Sequence, residues 1–144
     1  MTDDQKMAKR LEIVAEARTW LDTPYRHQGA VKGRAVDCVN MVNEVLIACG
    51  VHARRPLPAY RTRPHPDGRL RGQVEGYMTR IPVEQATVGD VLMFAVHGRD
   101  THLAILTGPD TIIHAYLANR RVCEHSMGSV FGALVSAAFR AEGL

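Results

Sequence analysis

Disulfide chemistry is the first thing this sequence lacks the means for. Its three cysteines, Cys38, Cys49 and Cys123, are too few and too scattered for a disulfide framework. None belongs to a Cys-x-x-Cys pair, which argues against a structural zinc knuckle. Aromatic residues make up only 6% of the chain, and the basic stretch around Arg54–Arg63 has Tyr60 alone interleaved in it. Nucleic-acid bases would find almost nothing there to stack on. A net charge of +3 leans mildly toward anionic partners and falls far short of a nucleic-acid footprint. No apolar run is long enough to span a membrane. The start, Met1-Thr2-Asp3-Asp4-Gln5, is acidic with no apolar run behind it, so it does not read as a secretory signal. The expectation is synthesis in the cytoplasm as a soluble chain. Repeats, low-complexity tracts and a second domain are also missing. The 144 residues are therefore read as one domain, 1–144, large enough to bury a core without metal or disulfide support.

What is present centres on Asp37-Cys38-Val39-Asn40-Met41-Val42-Asn43-Glu44-Val45-Leu46. Cys38, Met41, Val42, Val45 and Cys49 follow the spacing of one helix face, with Asp37 placed as N-cap and Gly50 as the stop. The Cys38 sulfur then sits beside unpaired backbone N–H groups at the positive end of the helix dipole, where a thiol loses its proton more easily. The competing reading is a small apolar residue packed in the core, as free cysteine commonly is. Cys49 reads as plain core.

Around this stretch the chain divides into helices first and strands after. Thr2 and Gln5 match a capping box, and Met7, Leu11, Val14, Ala17 and Leu21 predict a first helix from about Asp3 to Leu21, closed by Trp20. Asp22 to Val36 reads as a loop carrying Tyr25, His27 and Gln28, polar groups that serve chemistry or only satisfy loop backbone. A basic, proline-rich excursion with Arg54, Arg55, Pro56, Pro58, Arg61, Arg63, Pro64 and Pro66 follows. It reads as solvated surface or as a wall of a groove favouring carboxylates. Leu70, Val74, Tyr77 and Met78 predict a short helix from near Asp67. Strands are expected at Val91–Val96, His102–Thr107, Thr111–Leu117, Arg121–Glu124 and Leu134–Phe139. The fold class is α+β, N-terminal helices on an antiparallel sheet of about five or six strands.

Two strands paired about Gly108 place His102 directly opposite His114, close enough for one imidazole to orient the other. A cysteine at a helix start, a histidine base and a polar orienting residue are the parts of a nucleophilic site. Zinc on Cys38, His102 and His114, or on Cys123 and His125, is the metal-binding rival, disfavoured because no close-spaced ligand pair is present. His52, His65, His97 and His125 are read as solvated, Glu44 and Glu75 as surface, and Cys123 as packed.

Thr23-Pro24-Tyr25-Arg26-His27-Gln28, Asp37-Cys38, Gly89-Asp90-Val91-Leu92-Met93-Phe94, His102-Leu103-Ala104-Ile105 and Ile112-Ile113-His114-Ala115 stand in the order seen in NlpC-type cell-wall cysteine peptidases (the NlpC and p-sixty family). The chain resembles in particular the stand-alone form encoded in phage and gene-transfer-agent tail clusters. The resemblance implies a papain-like fold and hydrolysis of peptidoglycan stem peptides, by analogy between D-Glu and diaminopimelate. It makes Cys38 the nucleophile, His102 the base, His114 the residue orienting that base, and Tyr25 a group positioned near the oxyanion. Asp37, Gln28 and Asn40 fall at the substrate side, and neither metal nor cofactor is implied. The expected partners are stem peptides and other tail-tip or hub proteins, with action at the cell wall or periplasm after delivery in a phage-like tail. Two positions depart from the pattern: Asn40 stands where glycine is usual after the cysteine, and Ala104 where glycine follows the base. Those departures keep a non-catalytic peptidoglycan-binding or tail module in view as an alternative. A secreted cell-wall amidase toxin is another.

Overall fold

A computed structural model describes residues 1–52, 69–96 and 98–144. The basic, proline-rich stretch with Tyr60 and His65, the expected helix start at Asp67, and His97 lie outside the described residues.

The chain opens with α1 (Asp3–Arg18), and the capping box forms as the sequence requires: the Thr2 hydroxyl accepts from the Gln5 N–H, and the Gln5 side chain accepts from the Thr2 N–H. The buried face of α1 differs from the expected stripe. Arg10, Ile13, Val14 and Ala17 point inward, whereas Met7 and Leu11 are 46% and 54% exposed and Leu21 is exposed as well. The reason is an ion pair that no local pattern reveals. Arg10 donates to the fully buried Asp90 at 2.9 Å, and Arg140 grips the same carboxylate at 3.0 and 2.8 Å. The Thr87 N–H supplies a further bond to Asp90. This knot turns α1 so that its arginine faces the sheet, and it joins the first helix to the last strand. Gly89 makes the close approach possible: its φ is +86°, and a Cβ there would lie 3.1 Å from the Arg10 Cα.

After α1, the segment expected to be a loop contains a two-stranded ribbon, β1 (Ala30–Val31) with β2 (Ala35–Val36). It leads directly into α2 (Cys38–Ala48), which ends at Cys49 with Gly50 at φ +70°, as the sequence predicts. Then come α3 (Arg69–Glu75), β3 (Met78–Ile81), β4 (Val91–Val96), β5 (Arg99–Leu106), β6 (Thr111–Tyr116), β7 (Arg121–Ser126), α4 (Gly128–Leu134) and β8 (Val135–Ala141). Met78, expected on a helix, begins a strand, and α4 was not expected at all. The sheet has six strands in the order β3-β8-β4-β5-β6-β7, and neighbouring strands run antiparallel.

Alternation along the strands divides the core. Met93, Leu103, Ile105, Ile113 and Phe139 face α1 and α2 together with Trp20, Met41, Val42 and Val45. Leu92, Phe94, Ala104, Leu106 and Ile112 form a second cluster, covered by Phe131 of α4. Burial on both faces is why β4 reads as a continuous apolar run. Among the described residues no helix is long and apolar enough to cross a membrane.

Candidate functional site

The site begins with Asp37. Its Oδ1 accepts from the Asn40 N–H at 2.9 Å and its Oδ2 from the Gln28 N–H at 2.6 Å. One carboxylate thus starts α2 and ties the preceding loop to it. Asp37 is buried, so it reaches any substrate only through the helix it caps. Gln28 is exposed, with φ at 62°, while Asn40 is buried on the first turn of α2.

Cys38 follows the cap and is 7% exposed. Its sulfur lies against the backbone N–H groups of Leu103, Val39 and Cys38 itself. The sequence-based expectation was an acidified thiol. Burial reverses it and pushes the thiol up to about 12, with the neighbouring Asp37 charge acting in the same direction against those three N–H groups. Tyr25 is half-buried and close enough to feel the Cys38 and Asp37 charges, and burial raises its hydroxyl first of all. Tyr77, expected as a helix-face residue, has a buried hydroxyl without a hydrogen-bond partner among the described residues, also within the field of Cys38 and pushed up to about 12 by burial.

Leu103 is the residue next to His102, so the start of α2 meets β5 beside the histidine. Cys38 and His102 share no direct hydrogen bond among the described residues. The expected direct opposition of His102 and His114 is corrected by the turn. Thr107 and Thr111 close it, the Thr107 N–H and hydroxyl both donating to Thr111, and the register puts Ile105 against Ile113 and Leu106 against Ile112. Continued, that register sets Ala104 beside His114, and His102 is its diagonal neighbour. A shift of two residues keeps both on one face, and diagonal aromatic side chains still touch. His102 Nε2 and His114 Nδ1 are 2.6 Å apart.

The chain of imidazoles does not stop at His114. His114 Nε2 lies 2.8 Å from His125 Nε2, and His125 Nδ1 lies 2.8 Å from the Ser126 carbonyl oxygen. His125, read from sequence as solvated, sits on β7 beside His114. The register there pairs His114 with Cys123 and Ile112 with His125. Strand alternation across the β6–β7 hairpin is the signal that would have found it.

For three neutral rings the proton positions follow by elimination. A carbonyl only accepts, so His125 Nδ1 carries a hydrogen and its Nε2 is a bare acceptor. His114 Nε2–H donates to it, which leaves His114 Nδ1 bare. His102 Nε2–H donates to that atom, and His102 Nδ1 is left as a free lone pair. Burial supports the neutral state: it lowers His102 to about 4, and it lowers His114 further, with help from the two flanking histidines. Tyr116 stacks on His114 with ring centroids 4.8 Å apart and planes 9° from parallel. Phe131 stands edge-on to His114, Tyr116 and Phe94. Aromatic packing from α4 therefore holds the middle ring in place.

His114, Cys123 and His125 also bring three potential ligand atoms within 4.8 Å of one another. Asn119 Nδ2 donates to the Cys123 sulfur at 3.3 Å. His52, expected to be solvated, is partly buried, with Nε2 2.8 Å from Asn43 Oδ1. His27 is partly buried in the loop before β1.

The model of the NlpC/P60 family matches residues 22–140 of the chain. Among solved structures, the NlpC/p60 domain of the peptidoglycan hydrolase SagA is 27% identical, with 91% of this chain and 97% of that chain covered at a TM-score of 0.65. A Staphylococcus aureus protein described as similar to lipoprotein, of the NLP/P60 family, is 20% identical at a TM-score of 0.69, with 98% of this chain and 42% of that one covered. The peptidoglycan hydrolase RipB of Mycobacterium tuberculosis is 15% identical at a TM-score of 0.67, covering 98% and 68%. This chain thus spans less than half the length of some of its structural neighbours. No curated protein is significantly similar to it. The α+β architecture is the papain-like arrangement of these domains, and the family match over residues 22–140 means that the chain belongs to the NlpC/P60 family.

Proposed function

We propose that this chain is a cysteine peptidase that hydrolyses peptide bonds in peptidoglycan stem peptides. The observation that carries the reading is the contact of His102 Nε2 with His114 Nδ1, which leaves the Nδ1 of His102 as the base. It is the ring nitrogen nearer the main chain, and the Cys38 sulfur lies against the N–H of the very next residue, Leu103. A thiol at a helix start and a histidine on the adjoining strand, oriented by a second imidazole, are the parts of a nucleophilic site, and the helix start supplies backbone N–H groups for a developing oxyanion. SagA and RipB, two of the similar structures, are described as peptidoglycan hydrolases, which favours this substrate class.

The reaction starts from a neutral pair, because burial disfavours both charged forms. His102 Nδ1 takes the Cys38 proton as the sulfur attacks a stem-peptide carbonyl carbon. The oxyanion is held by the Cys38 N–H, with Tyr25 alongside. Collapse breaks the C–N bond, and His102 returns the proton to the leaving amine. Water, deprotonated by the same nitrogen, cleaves the thioester and frees the acid. Exposed Gln28 and the first-turn Asn40 line the approach.

The bond between D-Glu and diaminopimelate is the proposed target, and delivery in a phage-like tail is the proposed route to the wall. Digestion of purified muropeptides by the parent and by Cys38→Ala, with products identified by mass, tests the reading and names the bond. Turnover is expected from the parent alone, and equal turnover by both proteins refutes it. Presence of the chain in purified tail particles checks the delivery. The burial of Cys38, together with Asn40 in the usual glycine position, favours the second reading, a wall-binding module without turnover. Binding by both proteins with hydrolysis by neither is its signature.

A further inference from the structure

We propose that His125 is a positioning residue that sets the tautomer of His102 through His114. The inference rests on the catalytic reading of Cys38 and His102. The proton order along the relay is dictated from its far end, because the Ser126 carbonyl is the one member that cannot exchange a donor for an acceptor role. His125 Nδ1–H is pinned there, so its Nε2 accepts from His114, and His114 Nδ1 accepts from His102. Without His125, the His114 Nε2–H loses its acceptor. His114 is then free to carry its proton on Nδ1 instead and donate to His102 Nε2. That reversal moves the His102 proton to Nδ1, the atom that must be bare to take the Cys38 proton. A base in the wrong tautomer leaves geometry intact and removes catalysis.

The same cluster could hold a metal. A cation on His114, Cys123 and His125 that took both Nε2 atoms would abolish their mutual bond. The relay and a metal centre held through those two atoms are therefore alternative states of one cluster.

The test uses the full chain with 15N-labelled histidines and three proteins: the parent, His125→Phe and His125→Gln. Phe fills the place of the ring without an acceptor, whereas Gln offers an oxygen to the His114 Nε2–H. NMR correlations through the ring protons report which nitrogen of His102 is protonated. The parent should show the Nε2–H form and His125→Phe a substantial Nδ1–H fraction. Muropeptide kcat should fall by about tenfold or more in His125→Phe with KM within about twofold, and recover to within about threefold of the parent in His125→Gln. Unchanged tautomer in His125→Phe overturns the proposal. So does a Gln variant as impaired as the Phe variant, or stoichiometric zinc in the purified parent bound through His125. The tautomer is read in the resting protein. A parent that shows the Nε2–H form and no muropeptide turnover would therefore refute the peptidase reading and leave the relay standing.

Discussion

At Cys38, two effects of the same location compete. The helix start brings N–H groups and positive potential to the sulfur, worth about 1 kcal/mol where water still reaches. Near-complete burial removes the water that would solvate a thiolate, and that penalty wins, taking the thiol to about 12. His102 obeys the same rule with the opposite sign, falling to about 4. The resting state is thus thiol and imidazole rather than thiolate and imidazolium. Alkylation of Cys38 by iodoacetamide, followed residue by residue with mass spectrometry, should therefore rise steadily with pH through 9. A rate plateau already established below pH 7 would show a preformed ion pair and contradict this. Sequence could not reveal the difference, because the motif places the sulfur at a helix start without saying how deeply the rest of the chain covers it.

At the scale of elements, legibility followed how local the determinants are. For α2, cap, apolar face and stop all lie in one short stretch, so its bounds were readable, and β4 announced itself by burial on both faces. α4 has no such signal: Gly128 and Gly132 weaken it, no side chain caps it, and Phe131 packing on Phe94 and Tyr116 holds it. The face of α1 depends on Asp90, eighty residues away from Arg10. The histidine pair was found although its register was wrong, since a two-residue error preserves the face. His125 was missed because a lone histidine on a short strand reads as solvated until its neighbours are placed. The element that most needs its local determinant is α2. Asp37→Ala removes both the Asn40 cap and the Gln28 anchor. It should cost about 1–2 kcal/mol by urea denaturation, and an unchanged midpoint would show that tertiary packing alone fixes the helix start.

For the whole molecule, the relay couples the site to global stability. His102 is neutral and partly buried in the folded state, with its pKa lowered to about 4, whereas the unfolded chain titrates near 6.5. Between these values the unfolded state binds more protons, so stability rises with pH across the window and is lost as pH falls through it. His114 is depressed by the same burial and adds to the effect in the same direction. The Glu124 carboxyl, held down chiefly by its bond to Arg18, begins to matter only below the ordinary carboxylate range. The interval from pH 7 to pH 5 therefore isolates the histidines. His102 alone should cost about 2 kcal/mol over that interval. Urea denaturation at the two pH values should show at least that loss in the parent and a smaller one in His102→Asn, where the titrating ring is gone. Equal stability of the parent at pH 7 and pH 5 would mean that the rings accept protons within the folded protein. A relay that accepts protons so readily could not hold His102 Nδ1 bare, and the chemistry derived from that lone pair would fall with it.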